Sequence, residues 1–174
     1  MKVVYGQLMK KKWCGDNIMK KAIVTIGIPT SGKSTFADSI IEQDSSYIEI
    51  CRDNIRREIF NVNGWNEYNN SAENEKLVTA KQFDLIREAH NNGKNVIITD
   101  TNLRMKYVRN FVSLLEHFGY TVNIKLCEIS FLESIRRNAN RSTPTDINNL
   151  RSMHKAYNTI IEKVKDKYPN YIID

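Results

Sequence analysis

Residues Gly27-Ile28-Pro29-Thr30-Ser31-Gly32-Lys33-Ser34-Thr35 hold two glycines, a lysine and two hydroxyls at the spacing G-x-x-x-x-G-K-S. Such a loop can wrap its backbone N–H groups around one anion, and a helix starting behind it adds its own partial positive charge. Gly27 and Gly32 free the backbone for that curl, and Thr30, Ser31 and Thr35 complete the cradle. Lys33 can reach the outer phosphates of a nucleoside triphosphate, and the Ser34 hydroxyl suits a place on Mg²⁺. A phosphate cradle works only in a strand–loop–helix context. The apolar run Ala22–Ile26 before it and the helical pattern after Thr35 supply that context. The reading is of a protein that binds ATP with Mg²⁺.

A second set of residues could serve an acceptor. Arg52-Asp53-Asn54-Ile55-Arg56-Arg57 follows the apolar run that ends at Ile50. A carboxylate at the end of that strand could accept a hydrogen bond from an attacking hydroxyl and align it with phosphorus. Asp53 could equally cap the following helix and pair with Arg57, and the sequence leaves both readings open. Arg52 and Arg56 share a helix face, either to hold an acceptor phosphate or to be solvated. Asp100, at the tip of the buried run Asn95–Thr99, suits a Walker B carboxylate that supports Mg²⁺, with an Asx-turn as the alternative. Asp100-Thr101-Asn102-Leu103 also invites comparison with an aspartyl-phosphate phosphatase motif, but Asn102 stands where that chemistry needs an acid. Arg137 and Arg141 fall on one face of a predicted helix before Ser142–Asp146. Guanidinium groups there could close over the donor phosphates as a lid, or simply line a solvated basic helix.

Strands are predicted at 22–27, 47–51, 95–99, 121–128 and 171–173. Helices are predicted at 33–42, 54–60, 72–91, 104–118, 131–140 and 147–166. Strands alternating with helices predict an α/β fold. It is a P-loop NTPase-type three-layer sandwich, a mostly parallel sheet of four or five strands with helices on both faces and a helical lid. Asn70 or Ser71 can cap the helix beginning at 72, while Gly93 and Gly119 stop two others. Residues 1–18 carry a basic run without a clean period and are read as an extension ahead of a catalytic domain at 19–174.

The bulk properties agree. At 174 residues the chain fits one domain with a real core. No segment is apolar over the roughly twenty residues that span a bilayer, and the start lacks the apolar core of a secretory signal. Cys14, Cys51 and Cys127 are odd in number and too scattered for a zinc site or disulfide framework, so a cytoplasmic protein with reduced thiols is expected. The net charge of +6 favours polyanionic partners. It concentrates in Lys10–Lys12, Arg52–Arg57, Arg104–Arg109 and Arg136–Arg141, three of which follow predicted strands, at the sheet edge where open α/β folds bind ligands.

Taken together, from about Met19 to about Tyr157, the chain resembles the 5′-kinase domain of bacteriophage polynucleotide kinase of the T-even type. The resemblance rests on the loop Gly27–Thr35, Arg52-Asp53-x-x-Arg56, Thr99–Leu103, Arg137-Asn138-x-x-Arg141 and Leu150–Met153. It implies that Lys33 and Ser34 bind the donor phosphates and Mg²⁺, and that Asp53 activates a 5′-hydroxyl. Arg56 would hold the neighbouring acceptor phosphate, with Arg52, Asp100, Thr101 and Asn102 on the acceptor side. Arg137 and Arg141 would reach the donor from the lid. The implied partner is DNA or RNA with a 5′-hydroxyl end, with no membrane, and a homo-oligomer is compatible. The lid loop Ser142–Asp146 is shorter than in the phage family, and no D-x-D-x-T phosphatase motif follows, so kinase activity without 3′-phosphate removal is expected. A hydroxymethyl pyrimidine within DNA, a nucleoside or a small metabolite are alternative acceptors. A non-catalytic nucleotide- or nucleic-acid-binding module is the alternative of another class.

Overall fold

β-Branched, apolar stretches of four to six residues cannot bury both faces alone, and here they form the centre of the molecule. The computed structural model describes residues 19–63 and 67–174. The expected extension at 1–18 lies outside the described residues. β1 (Lys21–Ile26), β2 (Tyr47–Ile50), β3 (Asn95–Ile98), β4 (Thr121–Leu126) and β5 (Ile172–Ile173) make one sheet in the order β2-β3-β1-β4-β5. Every pairing is parallel, so all five strands end at the same rim.

Between them run α1 (Lys33–Gln43), α2 (Arg52–Phe60), α3 (Ala72–Asn91), α4 (Met105–His117), α5 (Phe131–Ala139) and α6 (Ile147–Lys167). The period-two alternation of β1 divides the core. Ala22, Val24 and Ile26 pack with Val78 and Ile86 of α3, Val108 and Leu115 of α4, and Leu150 and Ile160 of α6. On the opposite face Ile23 and Ile97 pack with Ala37 of α1 and Tyr47. The α/β layering with helices on both faces is therefore as expected.

Helix ends follow local chemistry. Ser71 caps α3 by accepting from the Asn74 N–H, and Ser130 and Asp146 do the same for α5 and α6. Two boundaries differ from expectation in ways that matter. α2 begins at Arg52 rather than 54, so Asp53 sits inside the first turn and Cys51 occupies the cap position. α5 stops at Ala139, where the Asn140 N–H donates to the Arg137 carbonyl at 3.3 Å and closes the last turn tightly. No described helix is long and apolar enough to cross a membrane.

Candidate active site

The loop between β1 and α1 is shaped by two glycines for different reasons. Gly32 has φ 89°, the left-handed region, with open space around its missing Cβ. Gly27 is needed for room: a Cβ there would run into Ser31 Oγ and lie 2.9 Å from Cys127 Cβ. Thr30 also has positive φ (71°), so the loop holds a strained turn as anion-binding loops do. Lys33 folds back to donate to the Ile28 carbonyl at 2.8 Å. Burial lowers its pKa, while Cys127, Cys51 and the carboxylates of Asp53 and Asp100 act in the opposite sense. An ammonium held partly dehydrated on a backbone carbonyl is ready to exchange that carbonyl for a phosphate oxygen. Ser31 Oγ is buried without a hydrogen-bond partner, an orphan polar atom inside the cradle. The open left-handed turn, the dehydrated lysine and the unpaired hydroxyl fit a triphosphate. The exposed Ser34 hydroxyl at the second residue of α1 fits its Mg²⁺.

The rim beside the loop is tied together by one connected set of polar groups. Asp100 Oδ1 accepts from the Arg52 backbone N–H at 2.9 Å, and its Oδ2 accepts from Gln82 Nε2 at 2.7 Å. Burial raises the Asp100 pKa, opposed by those two hydrogen bonds. Gln82 Oε1 in turn accepts from Arg52 Nη1 at 3.2 Å. Arg52 Nη2 donates to Glu75 Oε2 at 2.6 Å, and Arg56 donates to both Glu75 oxygens, at 2.9 and 3.0 Å. Arg56 Nη1 then reaches Asp53 Oδ1 at 2.7 Å. The chain Asp100–Gln82–Arg52–Glu75–Arg56–Asp53 thus joins the carboxylate beneath the loop to the carboxylate at its mouth.

This arrangement revises several expectations. Asp53 does not cap α2 and does not pair with Arg57, which donates instead to Asn54. The Arg52 guanidinium turns into α3, bonding Thr79, Gln82 and Glu75, so it clasps α2 to α3. Asn102, 3% exposed and at φ 50°, donates to the Thr25 carbonyl. Its amide braces the loop after β3 and is too deep to touch an acceptor. The Thr101 carbonyl accepts from the Gly27 N–H at 3.1 Å, bracing the phosphate loop from the same side. Arg137 is on α5, where it bonds Glu133 and reaches the Thr30 carbonyl at 3.3 Å. Arg141 lies two residues past the end of α5, exposed. The two arginines therefore do not share a helical face. The segment after α5 is fixed by Asn138, which exchanges two hydrogen bonds with the Thr145 backbone at 2.7 and 2.9 Å.

Glu75, Gln82 and Tyr68 were not anticipated. Burial alone would raise the Glu75 pKa, but hydrogen bonds from Arg56, Arg52 and Tyr68 outweigh it and bring the group down to about 2. The available signal was Glu75, Thr79 and Gln82 at i, i+4, i+7, a polar stripe along α3 where a core stripe would be sought.

A protein-family model described as an AAA domain (AAA_33) matches residues 23–160, from β1 into α6. The chain belongs to this AAA-domain family. Family membership covers the phosphate loop, the Asp100–Asp53 chain and the lid segment together. Among curated relatives, the "Putative bifunctional polynucleotide kinase/RNA ligase" of Autographa californica nuclear polyhedrosis virus is 28% identical over 170 residues, covering 88% of this chain and 24% of that protein. This chain thus spans about a quarter of the length of that relative. Among solved structures, a chain of the Pnkp1/Rnl/Hen1 RNA repair complex superposes with a TM-score of 0.73 at 22% identity, over 83% of this chain and 46% of that one. The Mycobacterium tuberculosis APS kinase CysC, solved with AMPPNP and APS, superposes with a TM-score of 0.55 at 15% identity, covering 70% of each chain. These likenesses establish a P-loop kinase fold for this AAA-family domain.

Proposed function

We propose that this protein transfers the γ-phosphoryl group of ATP to the 5′-hydroxyl of DNA or RNA. The observation that carries the reading is the placement of Asp53. It stands exposed in the first turn of α2, close enough for its charge to act on Lys33 and bonded to Arg56. A hydroxyl entering between the loop and α2 would meet a carboxylate able to accept its proton and align it with the outer phosphate. The likeness to a protein named for polynucleotide kinase activity supports a nucleic acid as the bearer of that hydroxyl.

In this reading the loop amides and Lys33 hold the donor phosphates, with Thr30, Ser31, Gly32 and Thr35 shaping the cradle. Mg²⁺, held by Ser34, would neutralise charge on the outer phosphates, with Asp100 supporting its shell from behind. Arg56 faces a phosphate of the acceptor, and Arg137 and Arg141 approach the donor phosphates from the lid side. The transition state is loose, so Asp53 chiefly orients the nucleophile.

The deciding experiment offers γ-labelled ATP to a panel of acceptors. The panel holds 5′-hydroxyl DNA, 5′-hydroxyl RNA, duplex DNA with hydroxymethyl pyrimidines, and free nucleosides. Label on the 5′-hydroxyl strands is expected, with a rate about 10²–10⁴-fold lower in Asp53→Ala. Label confined to internal bases or small molecules, or full activity in Asp53→Ala, refutes the proposal.

A further inference from the structure

Asp53 is a poor candidate for a fixed group when α2 is viewed alone. Its side chain is 66% exposed, and an i,i+3 pair with an arginine on an exposed helix turn is normally weak and mobile. Among the described residues Arg56 supplies the one side-chain hydrogen bond to Asp53. What fixes Arg56 therefore decides where Asp53 sits.

Three features converge on Arg56 from outside α2. Its Nε and Nη2 both bond Glu75, a two-point contact that defines the plane of the guanidinium. The Tyr68 ring lies against it, 5.4 Å from the guanidinium carbon to the ring centroid, so the plane is also packed. Tyr68 OH donates to Glu75 Oε1 at 2.8 Å, a third bond to the same carboxylate. Arg52 adds a fourth bond to the same carboxylate, and its remaining contacts lead through Gln82 to Asp100. Four hydrogen bonds to one carboxylate take up about the whole accepting capacity of the group. Glu75 also sits in the first turns of α3, where the helix N-terminus favours its charge.

We infer that Glu75 is a positioning residue for the acceptor half of the site: it orients Arg56, and through Arg56 the Asp53 carboxylate. The inference rests on the functional reading above, because it takes Asp53 and Arg56 as the groups that meet the acceptor. Glu75 touches neither donor nor acceptor in this account. Its effect on turnover should therefore vanish once Asp53 is gone, while its effect on the acceptor KM through Arg56 should remain.

Glu75→Gln keeps the shape but turns one acceptor oxygen into a donor facing the guanidinium groups. Turnover on a 5′-hydroxyl oligonucleotide is expected to fall about tenfold or more, with the acceptor KM raised and the ATP KM held within about twofold. In an Asp53→Ala background the same change should lower turnover by less than about a further twofold, the non-additivity of residues acting as one unit, while the acceptor KM still rises through Arg56. Equal losses of turnover in both backgrounds, or a matching rise in ATP KM, would mark a merely structural residue and overturn the inference. A readout independent of activity is the Arg56 Nε–Hε signal in side-chain NMR. That signal should exchange slowly with solvent in the wild type and lose its protection in Glu75→Gln. An unchanged signal refutes the positioning role even if no polynucleotide is phosphorylated, so the two ideas fail separately. If Glu75→Gln does not fold, Tyr68→Phe removes one bond to Glu75 and should shift the same signal and the same KM to a smaller degree. No movement of either would count equally against Glu75.

Discussion

Gln82 is wholly buried between a carboxylate and a guanidinium, and its amide can face only one way. Asp100 accepts and cannot donate, and Arg52 donates and cannot accept, so Nε2 must meet Asp100 and Oε1 must meet Arg52. The substitution Gln82→Glu tests this directly. If the introduced carboxyl group ionised, it would set a second carboxylate oxygen at the 2.7 Å separation now spanned by a hydrogen bond to Asp100. Two carboxylates at that distance cannot both stay charged, so the pair must retain one proton. A protonated carboxyl at position 82 reproduces the amide, donating to Asp100 and accepting from Arg52.

The cost is then that of keeping the proton. With an unfolded glutamate near pKa 4.3 and about 1.36 kcal/mol per pH unit, it comes to about 3.7 kcal/mol at pH 7 and about 1 kcal/mol at pH 5. The sign follows from a folded pKa raised above the unfolded one. The variant matches wild type below about pH 4 and loses ground as pH rises towards the folded value. Urea unfolding of wild type, Gln82→Glu and Gln82→Met at pH 5 and pH 7 gives the comparison. Gln82→Met deletes both hydrogen bonds without adding charge and should cost about 1–3 kcal/mol per stranded group at either pH. A Gln82→Glu deficit below about 1 kcal/mol at pH 7, or one unchanged between the two pH values, would refute the orientation and the linked chain built on it.

Gly27→Ala should abolish tight ATP binding and lower stability by about 1–3 kcal/mol, since the new methyl must displace Ser31 and Cys127. Calorimetric titration with ATP and a melting curve measure the two effects, and wild-type affinity would show that the cradle tolerates the group. Asn138→Ala should release the segment from Asn140 to Thr145, raising the ATP KM several-fold while costing about 1–3 kcal/mol for the stranded Thr145 backbone groups. Hydrogen exchange at the Thr145 amide reports the release, and unchanged protection there argues against Asn138 as the anchor.

Much of the architecture was legible because periodicity and stop signals agree locally. Alternating strands and helices, Ser71 as a cap and Gly93 and Gly119 as stops each follow from neighbouring residues. The phosphate loop was legible for the same reason: its function lies in contiguous backbone. What the sequence left open was partner choice among distant side chains. Arg52 and Arg56 are alike in sequence and both bond Glu75 on α3, yet Arg52 goes on to Thr79 and Gln82 while Arg56 also reaches Asp53. Their shared partner, Glu75, lies far along the chain on another helix. Asn138 grasps Thr145 beyond the end of α5, a contact that helical spacing alone cannot reveal. The expected shared face of Arg137 and Arg141 fails because Arg141 falls beyond the helix.

The all-parallel order of strands has a practical corollary for fusions and probes. Met19 and Lys20 enter at the opposite rim of the sheet, whereas Ile173 leaves beside the ends of β4 and β1, on the chemically active edge. Two strand spacings, about 10 Å, separate β5 from the strand that feeds the phosphate loop. A fluorophore attached at Asp174 would therefore sit as a close observer of nucleotide arrival. The same dye attached at Met19 would look out from the opposite rim.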